Sequence, residues 1–154
     1  DFVLHLSTAF PEIRMKQFVE VRGADGGPRE FMLALPALWK GLLYHGPSRR
    51  RVAALFEEMT PEEHEQLFMD VYADGLDATS PVGRVADLGA EVLSLASDGL
   101  DALAEENDHP SERGFLEPVR EVVDTETTLA DRLRRDFERF GGDRRRLIEE
   151  WSLV

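Results

Sequence analysis

No cysteine occurs anywhere in the 154 residues. A disulfide framework, a thiolate metal site and a thiol switch are therefore excluded for this stretch, and pairing gives no indication of redox compartment. Long apolar runs are missing as well. The longest, Phe31 to Trp39, is broken by Pro36 and falls far short of the roughly 20 residues that cross a bilayer as a helix. Lysine is confined to Lys16 and Lys40, so nearly all positive charge is arginine. Basic excess is lacking too. The 31 acidic side chains against 18 basic ones leave a formal charge of −13, which repels nucleic acid and anionic lipid and argues against either as a partner. Acidity with arginine preferred over lysine suits a GC-rich genome or a salt-adapted host.

What is present fits an ordinary globular protein. Hydrophobic residues make up 42% of the chain and aromatics 8%, enough for one domain with its own core. The chain opens at Asp1, without an initiator methionine and just ahead of an apolar segment. The expectation is a C-terminal part of a longer polypeptide.

The clearest local pattern runs from Glu12 to Arg22. Glu12, Arg14, Lys16, Glu20 and Arg22 occupy even positions, with Phe18 among them, while Ile13, Met15, Val19 and Val21 occupy odd ones. Side chains alternate with period two along an extended strand, so this pattern predicts a strand with one charged and one aliphatic face. Gly23-Ala24-Asp25-Gly26-Gly27-Pro28 then ends it in a turn.

Beyond the turn the apolar spacing becomes helical. Phe31 to Tyr44 is apolar nearly all round, which predicts a buried helix or a helix pair interrupted at Pro36. A shorter helix is expected from Arg49 to Met59. Thr60-Pro61-Glu62-Glu63 reads as a cap, a first-turn proline and an acid three residues after the cap, opening a helix that stops at Gly75. Ser80-Pro81 is read as the start of the next, carried by Val85, Leu88, Val92, Leu95 and Leu103. A polar loop is expected over 106–113, then a short helix around Pro118, a helix capped by Thr128 and ended by Gly141-Gly142, and a last one from Asp143. There is no internal repeat and no linker between domains.

Glu20 and Arg22 are the first candidates for chemistry. Two steps apart on a strand they project together; the carboxylate suits Mg2+, a hard cation wanting oxygen ligands, and the guanidinium fork suits phosphate oxygens. On spacing alone, an ion pair on a solvated sheet face explains them at least as well. Arg14 and Lys16 share the charged face and would raise the local potential for an anionic ligand, or else pair with Glu12 and its neighbours. Asp25 either orients Arg22 or caps the following helix. Gly23, Gly26 and Gly27 lack the lysine and hydroxyl of a phosphate loop. Phe10, Trp39 and Tyr44 are candidates for a pocket wall, although core packing is the commoner fate of such rings. His5, His45, His64 and His109 show no metal-ligand spacing and no pairing with a nucleophilic serine.

Residues 5–14, His-Leu-Ser-Thr-Ala-Phe-Pro-Glu-Ile-Arg, together with Glu20-Val21-Arg22-Gly23-Ala24-Asp25-Gly26-Gly27-Pro28, resemble the signature of the plant and proteobacterial glutamate–cysteine ligases. Ala34 to Trp39, Gly41 to Tyr44 and Gly114-Phe115-Leu116 are similar to later landmarks of the same family. The resemblance implies an α+β fold: a mostly helical chain whose one or two strands belong to the antiparallel sheet of a glutamine-synthetase-like catalytic domain. Residues 1–28 would supply the active-site strand and turn and 29–154 the helical portion. It implies ATP-dependent joining of the glutamate γ-carboxyl to the cysteine amine through a γ-glutamyl phosphate. ATP and Mg2+ would be cofactors, with Glu20 a metal ligand, Arg22 a catalytic and nucleotide-phosphate contact, and Arg14 and Lys16 further cofactor contacts. The implied partners are the missing N-terminal part or a companion chain, with homodimerisation open, and the implied location is the cytoplasm. Arg29 and His45 stand where the family commonly has an aromatic and an acid, which leaves the acceptor amine open. The alternatives are a sister glutamate–amine ligase and a non-catalytic helical module.

Overall fold

A computed structural model of the protein describes residues 13–15, 17–24 and 26–152. Ten elements carry the argument: β1 (Ile13–Met15), β2 (Val19–Val21), α1 (Arg29–Tyr44), α2 (Gly46–Phe56), α3 (Pro61–Asp74), β3 (Thr79–Ser80), β4 (Gly83–Arg84), α4 (Val85–Asn107), α5 (Glu117–Thr125) and α6 (Leu129–Arg139). A last helix, α7, spans Arg144–Trp151, and single 3-10 turns cover Gly75–Asp77 and Glu112–Leu116. Helix dominates, and the strands form two small antiparallel pairs, β1 with β2 and β3 with β4. This is the α+β arrangement expected.

The alternating stretch is not one strand. It folds back after Met15, and β1 pairs with β2 so that Ile13 faces Val21, Arg14 faces Glu20 and Met15 faces Val19. The pattern could not distinguish the two because the connection, 16–18, has an odd number of residues: odd positions still meet odd ones across the hairpin. Ser80-Pro81 likewise opens no helix. The Ser80 hydroxyl donates to the Gly83 carbonyl at 2.9 Å and accepts from the Val82 amide at 3.3 Å, closing a turn between β3 and β4 instead of capping. Helix α4 starts at Val85 and continues to Asn107, so the polar loop shrinks to residues 108–111.

The core forms where α1 crosses α4. Leu95, Leu100 and Leu116 are fully buried, and Ala37, Leu42, Leu93 and Ala96 complete the cluster. At the crossing the two backbones touch: a methyl group on Gly41 would collide with the Ala96 carbonyl, and one on Gly99 with the Gly41 carbonyl. Ser48 of α2, buried, fastens the same region by donating to the Leu95 carbonyl at 2.7 Å. Lys40 of α1 reaches Glu112 at 2.6 Å, and Arg120 of α5 donates to Ser97 of α4 at 2.9 Å. Helix α1 runs unbroken through Pro36, which sits on its exposed side where the unmatched carbonyl one turn back can be hydrated. Burial all round is not found. Ala34, Ala37, Gly41 and Leu42 are buried, whereas Met32, Leu33, Leu35, Leu43 and Tyr44 are exposed, because α4, α2, α5 and the Glu112–Leu116 turn leave part of the helix uncovered.

Helix starts follow the sequence closely. Thr60 and Glu63 form a reciprocal capping box on α3, and Thr128 and Asp131 do the same on α6. Asp143 caps α7 by accepting from the amides of Arg145 and Arg146. Arg84 ties the small hairpin to two other elements, bonding Glu126 at 2.6 Å and Asp77 at 2.5 Å.

Two predictions follow from this packing. Gly41→Ala or Gly99→Ala forces apart two helices already in backbone contact, at a cost of about 1–3 kcal/mol or more. The melting temperature should drop by roughly 2–4 °C per kcal/mol, whereas Gly26→Ala, in open space, should change it little. The second concerns acid. The Thr60 amide and hydroxyl hold Glu63 below its ordinary value; the Thr128 hydroxyl and amide hold down Asp131, the Ser111 hydroxyl Asp101, and the Arg84 guanidinium Glu126. Groups depressed in the folded state stabilise fully above their unfolded values of about 4 and lose that contribution as pH falls through their folded values. Calorimetric melting temperatures should be flat from about pH 7 to 5 and decline below about pH 4. A rise on acidification would contradict this.

Candidate functional site

The β1–β2 hairpin carries the candidate residues, and its register sorts them. Arg14 and Glu20 are direct cross-strand neighbours. The guanidinium holds the carboxylate through Nε at 2.8 Å and Nη2 at 2.7 Å, both to Oε2, a two-pronged contact on one oxygen. Both side chains are about a third exposed, so the pair lies on the upper side of a surface ion pair, about 1 kcal/mol. Lys16 falls outside the described residues, as do Asp25 and Phe10.

Arg22 follows the last strand residue and lies elsewhere. With Gly23 it borders a hollow of about 680 Å3, into which α3 brings Phe68 and Tyr72, the turn after α3 brings Asp77, and α6 brings Asp131 and Arg134. Neither Arg14 nor Glu20 lines this hollow. The structure therefore brings Arg14 to Glu20 and places Arg22, half-buried with its Nη1 enclosed, at a hollow that neither of them lines. A strand that ends at Val21 no longer dictates that Glu20 and Arg22 share a direction.

The charges around the hollow are largely committed. Asp77 and Glu126 both bind Arg84, which holds its proton more tightly than a free guanidinium because of them. Asp131 is taken up by the Thr128 cap and lies 3.8 Å from Arg134. Arg134 projects into solvent, and Phe68 and Tyr72 meet edge to face with centroids 5.1 Å apart. Sequence reasoning missed these three residues. Arg134 is one of several arginines on an amphipathic helix, and rings spaced four apart read as core.

For Mg2+, the residues supply little. Among the described residues no group of three or more histidine, aspartate or glutamate side chains is arranged to hold a metal ion. Glu20 is the one candidate carboxylate on the hairpin, and its Oε2 is occupied by Arg14. One carboxylate beside phosphate oxygens and water is within the usual range for Mg2+, so the fit is partial.

The other candidates resolve on geometry. Ser48 spends its only proton on the Leu95 carbonyl and lies 2.8 Å from Nδ1 of His45, so it accepts from Nδ1–H. A buried hydroxyl that accepts a hydrogen bond from its histidine instead of donating one to it is not an activated nucleophile. Trp39 packs against the core, with its buried Nε1 meeting no hydrogen-bond partner among the described residues. Tyr44 is exposed and lines none of the hollow.

Comparison with known proteins agrees with the signature. The model of glutamate-cysteine ligase family 2 matches residues 1–150. A chloroplastic glutamate–cysteine ligase of Medicago truncatula is 44% identical over 133 residues, covering 86% of this chain and 25% of the relative. The Arabidopsis thaliana chloroplastic enzyme is 41% identical over 143 residues, covering 93% and 26%. Ligase A of Oryza sativa subsp. indica, also chloroplastic, is 40% identical over 138 residues, covering 90% and 27%. The chain thus spans about a quarter of the length of these relatives. They also overturn the cytoplasmic expectation, since these relatives are named as chloroplastic enzymes. With a match running almost end to end, the chain belongs to glutamate-cysteine ligase family 2.

Proposed function

We propose that the chain is the C-terminal part of a glutamate–cysteine ligase catalytic domain of the glutamine-synthetase-like fold, in which residues 1–28 supply an active-site strand and turn and 29–154 the helical portion. The supporting observation is a family match over residues 1–150, a range that includes Glu20-Val21-Arg22-Gly23. Residual aliphatic alternation would survive loss of function more readily than the charged positions.

The reaction would be ATP-dependent. A glutamate γ-carboxylate oxygen attacks the terminal phosphorus of ATP, ADP departs, and the cysteine amine then attacks the acyl carbon, releasing phosphate and one proton. Bound Mg2+ would neutralise phosphate charge. Arg22 would stabilise the negative charge spread over the transferring phosphoryl oxygens, since a fixed guanidinium at a partly enclosed site costs no reorganisation. Glu20 would be a metal ligand, and Arg14, which holds Glu20 in place, would exchange part of that contact for anionic oxygens of nucleotide or substrate. Lys16 is assigned to the same task. The remaining ligands would come from the other three quarters of the family's length, and cysteine is the acceptor by family analogy, with Arg29 and His45 as the positions where a different amine could be selected.

This reading makes the 154-residue chain alone inactive: coupled assay of ADP release with glutamate, cysteine and Mg-ATP should give no turnover above background, and robust ligation would refute the dependence on upstream residues. In a polypeptide completed with the rest of the ligase, Arg22→Ala should lower kcat by about 10²–10³. Glu20→Gln should raise the Mg2+ concentration for half-maximal rate while leaving the melting temperature within about 1 kcal/mol equivalent of the parent.

A further inference from the structure

Among the described residues helix α1 is packed by α4, by α2, by α5 and by the Glu112–Leu116 turn, and part of its apolar surface stays uncovered. Its inner side is buried at the crossing with α4, while on the outer side Met32 is 60% exposed, Leu33 45% and Tyr44 77%. An amphipathic surface helix would carry charge all along that side; here Arg29 and Lys40 do so, Lys40 in its pair with Glu112. On helix α6 the exposed residues are mostly charged, Arg134, Arg135 and Glu138 among them, with Leu133 and Phe137 only partly open. The hairpin has the same excess: Ile13 is 58% and Val19 53% exposed, although Arg14 and Glu20 are more covered than either. Apolar surface turned outward on both elements marks a contact face.

We infer that the outer side of α1 is the seat of the ligase polypeptide that the relatives carry outside the matched quarter. The identity of that occupant rests on the ligase reading. Two arguments exclude a second copy as its equal. At 16 residues the side is about 24 Å long and about 10 Å wide, on the order of 240 Å2, against about 800 Å2 per partner for a stable interface between separate chains. Two copies at −13 each would also repel. A tethered occupant meets neither obstacle, since linkage supplies an effective concentration near the millimolar range. The relatives' length, about four times the matched stretch, provides it.

The test is peroxide footprinting of Met32, with rates referred to an added methionine peptide and with buried Met59, 7% exposed, as the protected floor. In the chain alone Met32 should oxidise close to the rate of the free peptide. In the chain joined to the flanking three quarters of the Medicago truncatula ligase it should slow at least tenfold, towards Met59. An unchanged Met32 rate in the joined polypeptide, protection that grows with concentration of the chain alone, or a joined polypeptide without a cooperative melt each overturns the inference. Ligation is assayed on the same sample: protection without turnover upholds the contact face and removes the ligase reading, while turnover without protection does the reverse.

Discussion

The contact of backbone on backbone at Gly41 and Gly99 is the constraint from which the rest of the arrangement follows. Helices with ordinary side chains at their crossing stay 8–10 Å apart; here neither position has room for even a methyl group. Close approach brings Leu42 and Ala37 of α1 against Leu93, Ala96 and Leu100 of α4. It also carries α2 within reach of the Leu95 carbonyl, where Ser48 bonds. One consequence is orientation. With the glycine side of α1 committed to α4, its first turn and the Gly27-Pro28 entry are fixed, and Gly27 lies close enough to Leu129 that a methyl there would press on it. The hairpin is therefore delivered from a rigid helix start, and Arg22 arrives beside α6.

Charge is organised around that delivery in a way that sets the hairpin apart from the rest of the surface. Most acids in the hollow are neutralised locally: Arg84 takes Asp77 and Glu126, and Asp131 serves a helix start where the macrodipole favours it. In a chain of −13 this gathers Arg22 and Arg134 at the rim of the hollow, with Arg84 already paired nearby. Arg14 is the counterpart on the strand, already bound to the carboxylate that a metal ion would seek.

Much of this was legible in the residues. Capping boxes announce themselves because the cap and the acid are both local, and Thr60 with Glu63 and Thr128 with Asp131 form as written. The family signature was legible for the same reason: it is a contiguous string. The hairpin was not, since an odd connection preserves parity and period two looks the same folded or straight. Ser80-Pro81 satisfies the rules for a helix start and for a tight turn equally, and only the hydroxyl's partners decide. Gly41 and Gly99 carry no periodic signal at all. Their role depends on two helices meeting, which no local window contains.

The exposed aliphatic residues on α1 and the hairpin connect packing to chemistry. A two-stranded ribbon is marginal by itself, and one whose aliphatic positions lie open gives up the burial that would hold it. The Arg14–Glu20 pair, worth about 1 kcal/mol, does not match that burial, because covering the exposed half of both Ile13 and Val19 would contribute roughly 1.5–3 kcal/mol together. Covering those open side chains would therefore add more to the hairpin's stability than its cross-strand ion pair does.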